Sequence, residues 1–308
     1  MALADAYAAC QRLAATHYEN FPVASRLLPA RMRPHVAAVY AFARIADDFA
    51  DEDGLSIGER HARLDDWLAR LRGAAGAGPP VEAPAPAVAN IEPALVFEAL
   101  AHTIRTCALP LSSLEDLLSA FRQDVTVRRY ATWDDVLDYC RRSANPVGRL
   151  VLRIAGYRDP ALDARSDALC TALQLTNFWQ DLAIDWRRGR LYVPEAERDA
   201  AGARESDLDD ERITPEWRTV LGRASDRTRR LFEEGRPVCD AVGGRLRYEL
   251  RATWLGATRV LARLEAGGFD VFRARPSLGP ADTAAIAWSL LTWRTKSRSG
   301  RTAVACRM

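Results

Sequence analysis

Apolar residues recur at i, i+3, i+4 and i+7 through most of this 308-residue chain. That period belongs to helices buried along one face. Alternation of β-branched residues is scarce, and no Asn-Gly or Asp-Gly turn joins two strand-like runs. The pattern predicts an all-α protein, with helices at 3–17, 33–53, 57–72, 91–107, 111–127, 133–144, 146–156, 160–187, 214–239, 241–266 and 281–295. An Ala/Gly/Pro-rich stretch at 73–89 reads as a flexible insertion loop. The strongly charged segment 195–213 reads as a surface flap or loop. One helical domain over 1–308 is expected, because the chemistry below needs groups from both sides of the insertion.

Charge narrows the function. The 43 basic and 41 acidic residues nearly cancel, to +2, so bulk charge does not suggest nucleic-acid binding. Lysine occurs once, at Lys296. A Walker A loop is therefore absent, and Schiff-base chemistry would be confined to that residue. Six cysteines are widely scattered without a CxxC pair, which reads as free thiols in a reducing compartment. Asp5 and the lack of an early basic cluster argue against a signal peptide. The longest apolar run, 283–293, falls short of the ~20 residues a membrane span needs. A cytoplasmic protein is expected, with peripheral membrane contact left open. The apolar segment Ile286 to Trp293 could make that contact or be core.

Two carboxylate stripes carry the chemistry. With a helix turning about 100° per residue, Asp51, Arg44 and Tyr40 fall within roughly 60° of Asp47. In Gln174-Leu-Thr-Asn-Phe-Trp-Gln-Asp-Leu-Ala-Ile-Asp185, the residues Gln174, Asn177, Asp181 and Asp185 share roughly 80° of arc on an otherwise apolar helix. Carboxylates in such a setting are costly without a cation or a donor, and each i,i+4 pair repels itself. A single DxxxD is usually a solvated face, as expected for Asp65-Asp66 and Asp209-Asp210. Two stripes on core helices call for a divalent ion. An oxygen-only donor set (Asp plus an Asn amide) selects Mg²⁺ first and Mn²⁺ second. Two such walls would grip a diphosphate through Mg²⁺.

Other chemistries lack their signatures. No HExxH, GxSxG or GxGxxG occurs, and a di-iron bundle would need two Glu-x-x-His pairs. His17, His35, His61 and His102 are too dispersed in sequence to read as a metal cluster.

At these residues the sequence resembles the squalene/phytoene synthase family of all-helical class I isoprenoid synthases. The resemblance runs from about His17 to about Arg275. It is carried by Arg44-Ile-Ala-Asp-Asp-Phe-Ala-Asp51, Asn177-Phe-Trp-Gln-Asp-Leu-Ala-Ile-Asp185 and Gly189-Arg-Leu-Tyr-Val-Pro194. Phe21, Leu27-Leu-Pro29 and Tyr139-Cys-Arg-Arg-Ser-Ala-Asn-Pro-Val-Gly148 support it. The wording of His17-Tyr-Glu-Asn-Phe-Pro-Val-Ala-Ser25 and Asn177-Phe-Trp-Gln-Asp181 resembles the hydroxysqualene synthase branch of bacterial hopanoid biosynthesis.

The resemblance implies a helical bundle around a central cavity, and conversion of presqualene diphosphate and water to hydroxysqualene and diphosphate. The alternative is head-to-head condensation of two prenyl diphosphates, such as farnesyl diphosphate, to presqualene diphosphate, squalene or phytoene. A non-catalytic assembly or binding relative should show eroded motifs, whereas all five ligands stand here. No NADPH is expected. By the resemblance, Asp47, Asp51, Asn177, Asp181 and Asp185 would bind Mg²⁺, and Arg44 would hold diphosphate oxygens. Arg187, Arg188 and Arg190 would assist, or would only complement a helix C-terminus capped by Gly189. Phe21, Tyr40, Tyr139 and Phe178 would face the carbocation. His17 or Gln174 would position the attacking water. Ala257, where many members place Tyr, and the absence of the Lys often seen after Arg275 bear on substrate choice. Hand-over of a greasy product to other isoprenoid-pathway enzymes is expected.

Overall fold

The computed structural model describes residues 2–16, 27–52, 54–79, 81 and 91–294. Among them the chain is helical, with one isolated bridge between Arg129 and Leu191 and no strand. The expected helices are present as α1 Leu3–Thr16, α2 Arg33–Asp51, α3 Ile57–Ala74, α4 Pro93–Cys107, α5 Leu111–Asp124, α6 Trp133–Ser143 and α7 Asn145–Ala155. Next come α8 Pro160–Gln180, α9 Leu182–Arg187, α10 Glu195–Ala201, α11 Glu205–Asp209 and α12 Pro215–Gly235. The last are α13 Val238–Ala241, α14 Gly244–Ala266 and α15 Pro280–Leu291.

Local chemistry sets the boundaries. Ser56 with Glu59 and Thr132 with Asp135 close capping boxes on α3 and α6, satisfying amides that a helix start leaves unpaired. Asp159 and Thr214 cap α8 and α12, each followed by a proline in the first turn. The helix expected at 214–239 divides into α12 and α13 because Pro237 cannot continue it.

Two expectations need correction. The continuous helix at 160–187 breaks at Asp181 (φ −101°, ψ 9°), which separates α8 from α9. Segment 195–213 is not an open flap. It folds into α10 and α11, with Arg198, Asp207 and Leu208 buried. Its charges pair with each other and with the body: Arg198 and Arg129 both reach Glu205, and Trp133 Nε1 donates to Glu197 at 2.8 Å. At 73–89, α3 extends to Ala74, and 80 and 82–90 lie outside the described residues.

Two apolar cores hold the bundle. One gathers Phe42, Trp67, Leu100 and Leu114 from α2 to α5, with α1 packed on α2 and α4. The other gathers Trp179, Trp217 and Phe232 around α8, α12 and α14. Helix α12 approaches α8 closely at Gly235, where a Cβ would stand 2.5 Å from the Leu169 amide nitrogen. The described cysteines are free thiols, and all but Cys170 are buried. His35 and His102, 67 positions apart in sequence, both meet the Tyr7 hydroxyl, at 3.0 and 2.8 Å. They tie α1 to α2 and α4. No described helix is long and apolar enough to cross a membrane. On α15, Trp288 and Leu291 are 67% and 81% exposed, whereas Trp293 beyond it packs against Trp254 and the core.

Candidate active site

The two stripes meet. A cavity of about 340 Å³ is walled by Asp47 of α2 on one side and by Asn177, Asp181 and Asp185 at the α8–α9 break on the other. The break moves Asp185 onto a separate short helix, yet all three side chains still face the same space. Asp51 stands at the rim. Arg190 bonds it, and Arg188 lies 3.9 Å away, so the α2 wall is tied to the strand of chain after α9.

Electrostatics show how tightly the acids are gathered. Burial pushes the Asp47 carboxyl up to about 7; Arg44 pulls it down, and Asp51 and Asp124 push it up further. Burial and then Asp181 raise Asp185 to about 7, against Arg190 and Arg188. Asp51 raises Asp47, Asp124 and Asp185 alike. Among the described residues no group of three or more His, Cys, Asp or Glu side chains stands close enough to hold an ion. Arginines engage the acids instead. Arg275 bonds Asp181, Arg190 bonds Asp51, and Asn177 donates to Asp181 at 2.6 Å.

Asp124, Tyr192 and Arg275 also line this cavity, and the sequence pattern does not single them out. Asp124, at the end of α5, is buried, and burial raises its carboxyl to about 7. The Tyr139 hydroxyl donates to it at 2.8 Å. Asp124 follows Leu117 and Ala120 by seven and four positions, in phase with the apolar face of α5, and that was its available signal. Tyr192 stacks on Phe178 with centroids 3.7 Å apart. Arg275 comes from beyond α14. Arg190 lies in the cavity, whereas Arg187 pairs with Glu211 at 2.6 Å. Arg44 lines neither cavity; it turns along α2 to Asp47 and Asp48, at 3.6 and 2.5 Å. Tyr139 and Phe178 belong to the acidic cavity. His17 and Phe21 lie outside the described residues.

A second cavity, of about 310 Å³, adjoins the first. Gln174 and Asn177 line both. Beyond them its wall is mostly apolar, with Val147, Val151, Leu169, Leu173 and Leu250, and Tyr40 of the α2 stripe opens onto it. The arrangement suits an amphiphile with an anionic head and a long hydrocarbon tail. Arginine forks match phosphate oxygens, and the apolar bore excludes water from the tail.

A model of the squalene/phytoene synthase family matches residues 14–282. The chain belongs to that family. The hydroxysqualene synthase of Rhodopseudomonas palustris is 37% identical over 249 residues, covering 80% of each protein. Among solved structures, the squalene synthase HpnC of Alicyclobacillus acidocaldarius is 40% identical with a TM-score of 0.77, over 87% of this chain and 95% of that one. A ligand-bound dehydrosqualene synthase superposes with a TM-score of 0.80 at 21% identity, over 94% of this chain and 97% of that one, and so shares the fold. The squalene/phytoene synthase family has the all-α isoprenoid synthase fold and processes prenyl diphosphates, which places this chain among isoprenoid-pathway enzymes.

Proposed function

We propose that this protein is a Mg²⁺-dependent hydroxysqualene synthase acting on presqualene diphosphate. One observation carries the proposal. A cavity lined by acids and arginines opens, at Gln174 and Asn177, into an apolar cavity. The first fits a diphosphate and the second its hydrocarbon. The relatives named hydroxysqualene synthase support the choice of reaction within the family.

The donor set fits Mg²⁺. Asp47, Asp51, Asp181, Asp185 and the Asn177 amide offer hard oxygens only. Burial raises Asp47 and Asp185 to about 7 even against Arg44, Arg190 and Arg188, and a dication would offset the remaining cost. When bound, Mg²⁺ neutralises the charge that develops on the departing diphosphate. Arg190 and Arg275, now on Asp51 and Asp181, are placed to turn their forks onto diphosphate oxygens. Asp124 accepts the Tyr139 hydroxyl hydrogen and fixes that ring at the cavity wall. The Tyr40 face and the apolar walls keep bulk water from the rearranging cation. The exposed Trp288 and Leu291 of α15 support peripheral contact with a lipid surface, where substrate and product would partition.

Purified protein incubated with Mg²⁺ and presqualene diphosphate should yield hydroxysqualene, and chelation should abolish it. The same protein with farnesyl diphosphate alone should yield no presqualene diphosphate. Formation of presqualene diphosphate, squalene or phytoene would make it a condensing synthase instead.

A further inference from the structure

The wall of the apolar cavity holds three aliphatic hydroxyl side chains: Ser143 at the end of α6, Ser166 on α8 and Thr253 on α14. Ser166 is engaged with the Cys170 thiol. Ser143 Oγ and Thr253 Oγ1 are buried without a hydrogen-bond partner, and among the described residues they are the only side-chain hydroxyls in that condition. Both residues line the same cavity. A buried hydroxyl without a partner is costly. It is tolerated where a water molecule or a ligand completes it, and a buried water needs two or more polar partners. Ser143 also follows Tyr139 by one helical turn on the same face of α6, next to the acidic cavity.

We propose that Ser143 and Thr253 position the water molecule that terminates the reaction. The proposal rests on the hydroxysqualene synthase reading. In the ionisation the substrate C–O bond breaks and its electron pair leaves with diphosphate. After rearrangement, a lone pair of the held water forms the new C–O bond to the allylic cation. The extra proton passes to the departing diphosphate, and nothing is oxidised or reduced. The two hydroxyls accept the hydrogens of the water, so its oxygen lone pair faces the cation. Being neutral, they do not quench the cation themselves. Without that water the cation loses a proton from the adjacent carbon to diphosphate, and the product is a hydrocarbon with one more double bond.

The test is product partition. Wild type, Ser143→Ala, Thr253→Val and the double variant are given presqualene diphosphate and Mg²⁺, and the ratio of alcohol to hydrocarbon is measured. Whatever the total rate, the ratio should fall by about tenfold or more in the double variant. Ser143→Thr and Thr253→Ser should restore it, and oxygen-18 water should label the alcohol. An unmoved ratio in double-variant protein with the wild-type melting temperature would overturn the proposal. So would loss of diphosphate release in both single variants, which would assign the hydroxyls to ionisation or folding. Wild type that makes no alcohol at all would remove the hydroxysqualene synthase reading, and this proposal with it.

Discussion

The two cavities share Gln174 and Asn177 but are built by opposite means. The acidic cavity accepts electrostatic cost. Three carboxyls sit near 7 instead of their ordinary 3.8, and arginines from distant segments, Arg190 and Arg275, are drawn in to hold the others. The apolar cavity is quiet by contrast. Its wall is aliphatic apart from a few small polar groups, and two of those lack partners. In the proposed reaction, charge is concentrated where a bond would break and withheld where a cation would have to survive.

If that division is correct, the cavities fail differently. Asp47→Ala or Asp181→Ala should cost the most, on the order of 10²–10³-fold or more in diphosphate release. The melting temperature of Asp47→Ala should hold or rise, because Asp51 and Asp124 make that carboxylate costly, whereas Asp181→Ala leaves Arg275 without its partner and should lower it. Normal activity in Asp47→Ala would break the comparison at once. Leu173→Phe, which narrows the apolar cavity, should lower kcat/KM for presqualene diphosphate by about tenfold, the scale of a lost hydrophobic fit. Stabilisation by Mg²⁺ with inorganic pyrophosphate, read as a thermal shift, should stay as in wild type.

pH gives a smaller and sharper effect. The folded carboxyls of Asp47, Asp124 and Asp185 titrate near 7, and unfolded ones at the ordinary 3.8. Between those values the folded protein holds more protons, so the ligand-free protein should lose stability as pH rises from about 4 to about 7. Mg²⁺ competes with those protons. The thermal shift produced by Mg²⁺ and pyrophosphate should therefore be larger at about pH 8 than at about pH 6. A shift independent of pH would detach these acids from the ion. The smallest effect belongs to α15: Trp288→Ser should leave stability within about 0.5 kcal/mol while reducing co-sedimentation with anionic lipid vesicles.

Much of this was legible in the chain, and the exceptions have physical reasons. Helical periodicity located the major helices because most bury one face. It could not show the break at Asp181, since the residues on both sides keep the helical period and only the backbone at one position departs from it. The spacing of the carboxylate stripes pointed to Asp47 and Asp181 sharing one cavity, because i,i+4 carboxylates on buried helices have few places to go. Arg275 escaped because it reaches Asp181 across 94 positions, and no local period records that contact. Asp124 is a lone acid in phase with Leu117 and Ala120, without the i,i+4 partner that marks a stripe. Segment 195–213 has the charge density of a solvated loop, but Glu205 pairs with Arg129 and Arg198 across positions that no local pattern records. His35 and His102, distant in sequence, converge on Tyr7 as a structural tie.

The joint action of the two cavities is tested most directly by a crystal structure with Mg²⁺ and a non-ionising thio-diphosphate analogue of presqualene diphosphate. The account predicts the diphosphate among Asp47, Asp51, Asp181 and Asp185, with Arg190 and Arg275 turned onto its oxygens. The hydrocarbon should run past Gln174 into the cavity bounded by Leu173 and Leu250. A diphosphate bound elsewhere, or a chain that leaves that apolar cavity empty, would contradict it.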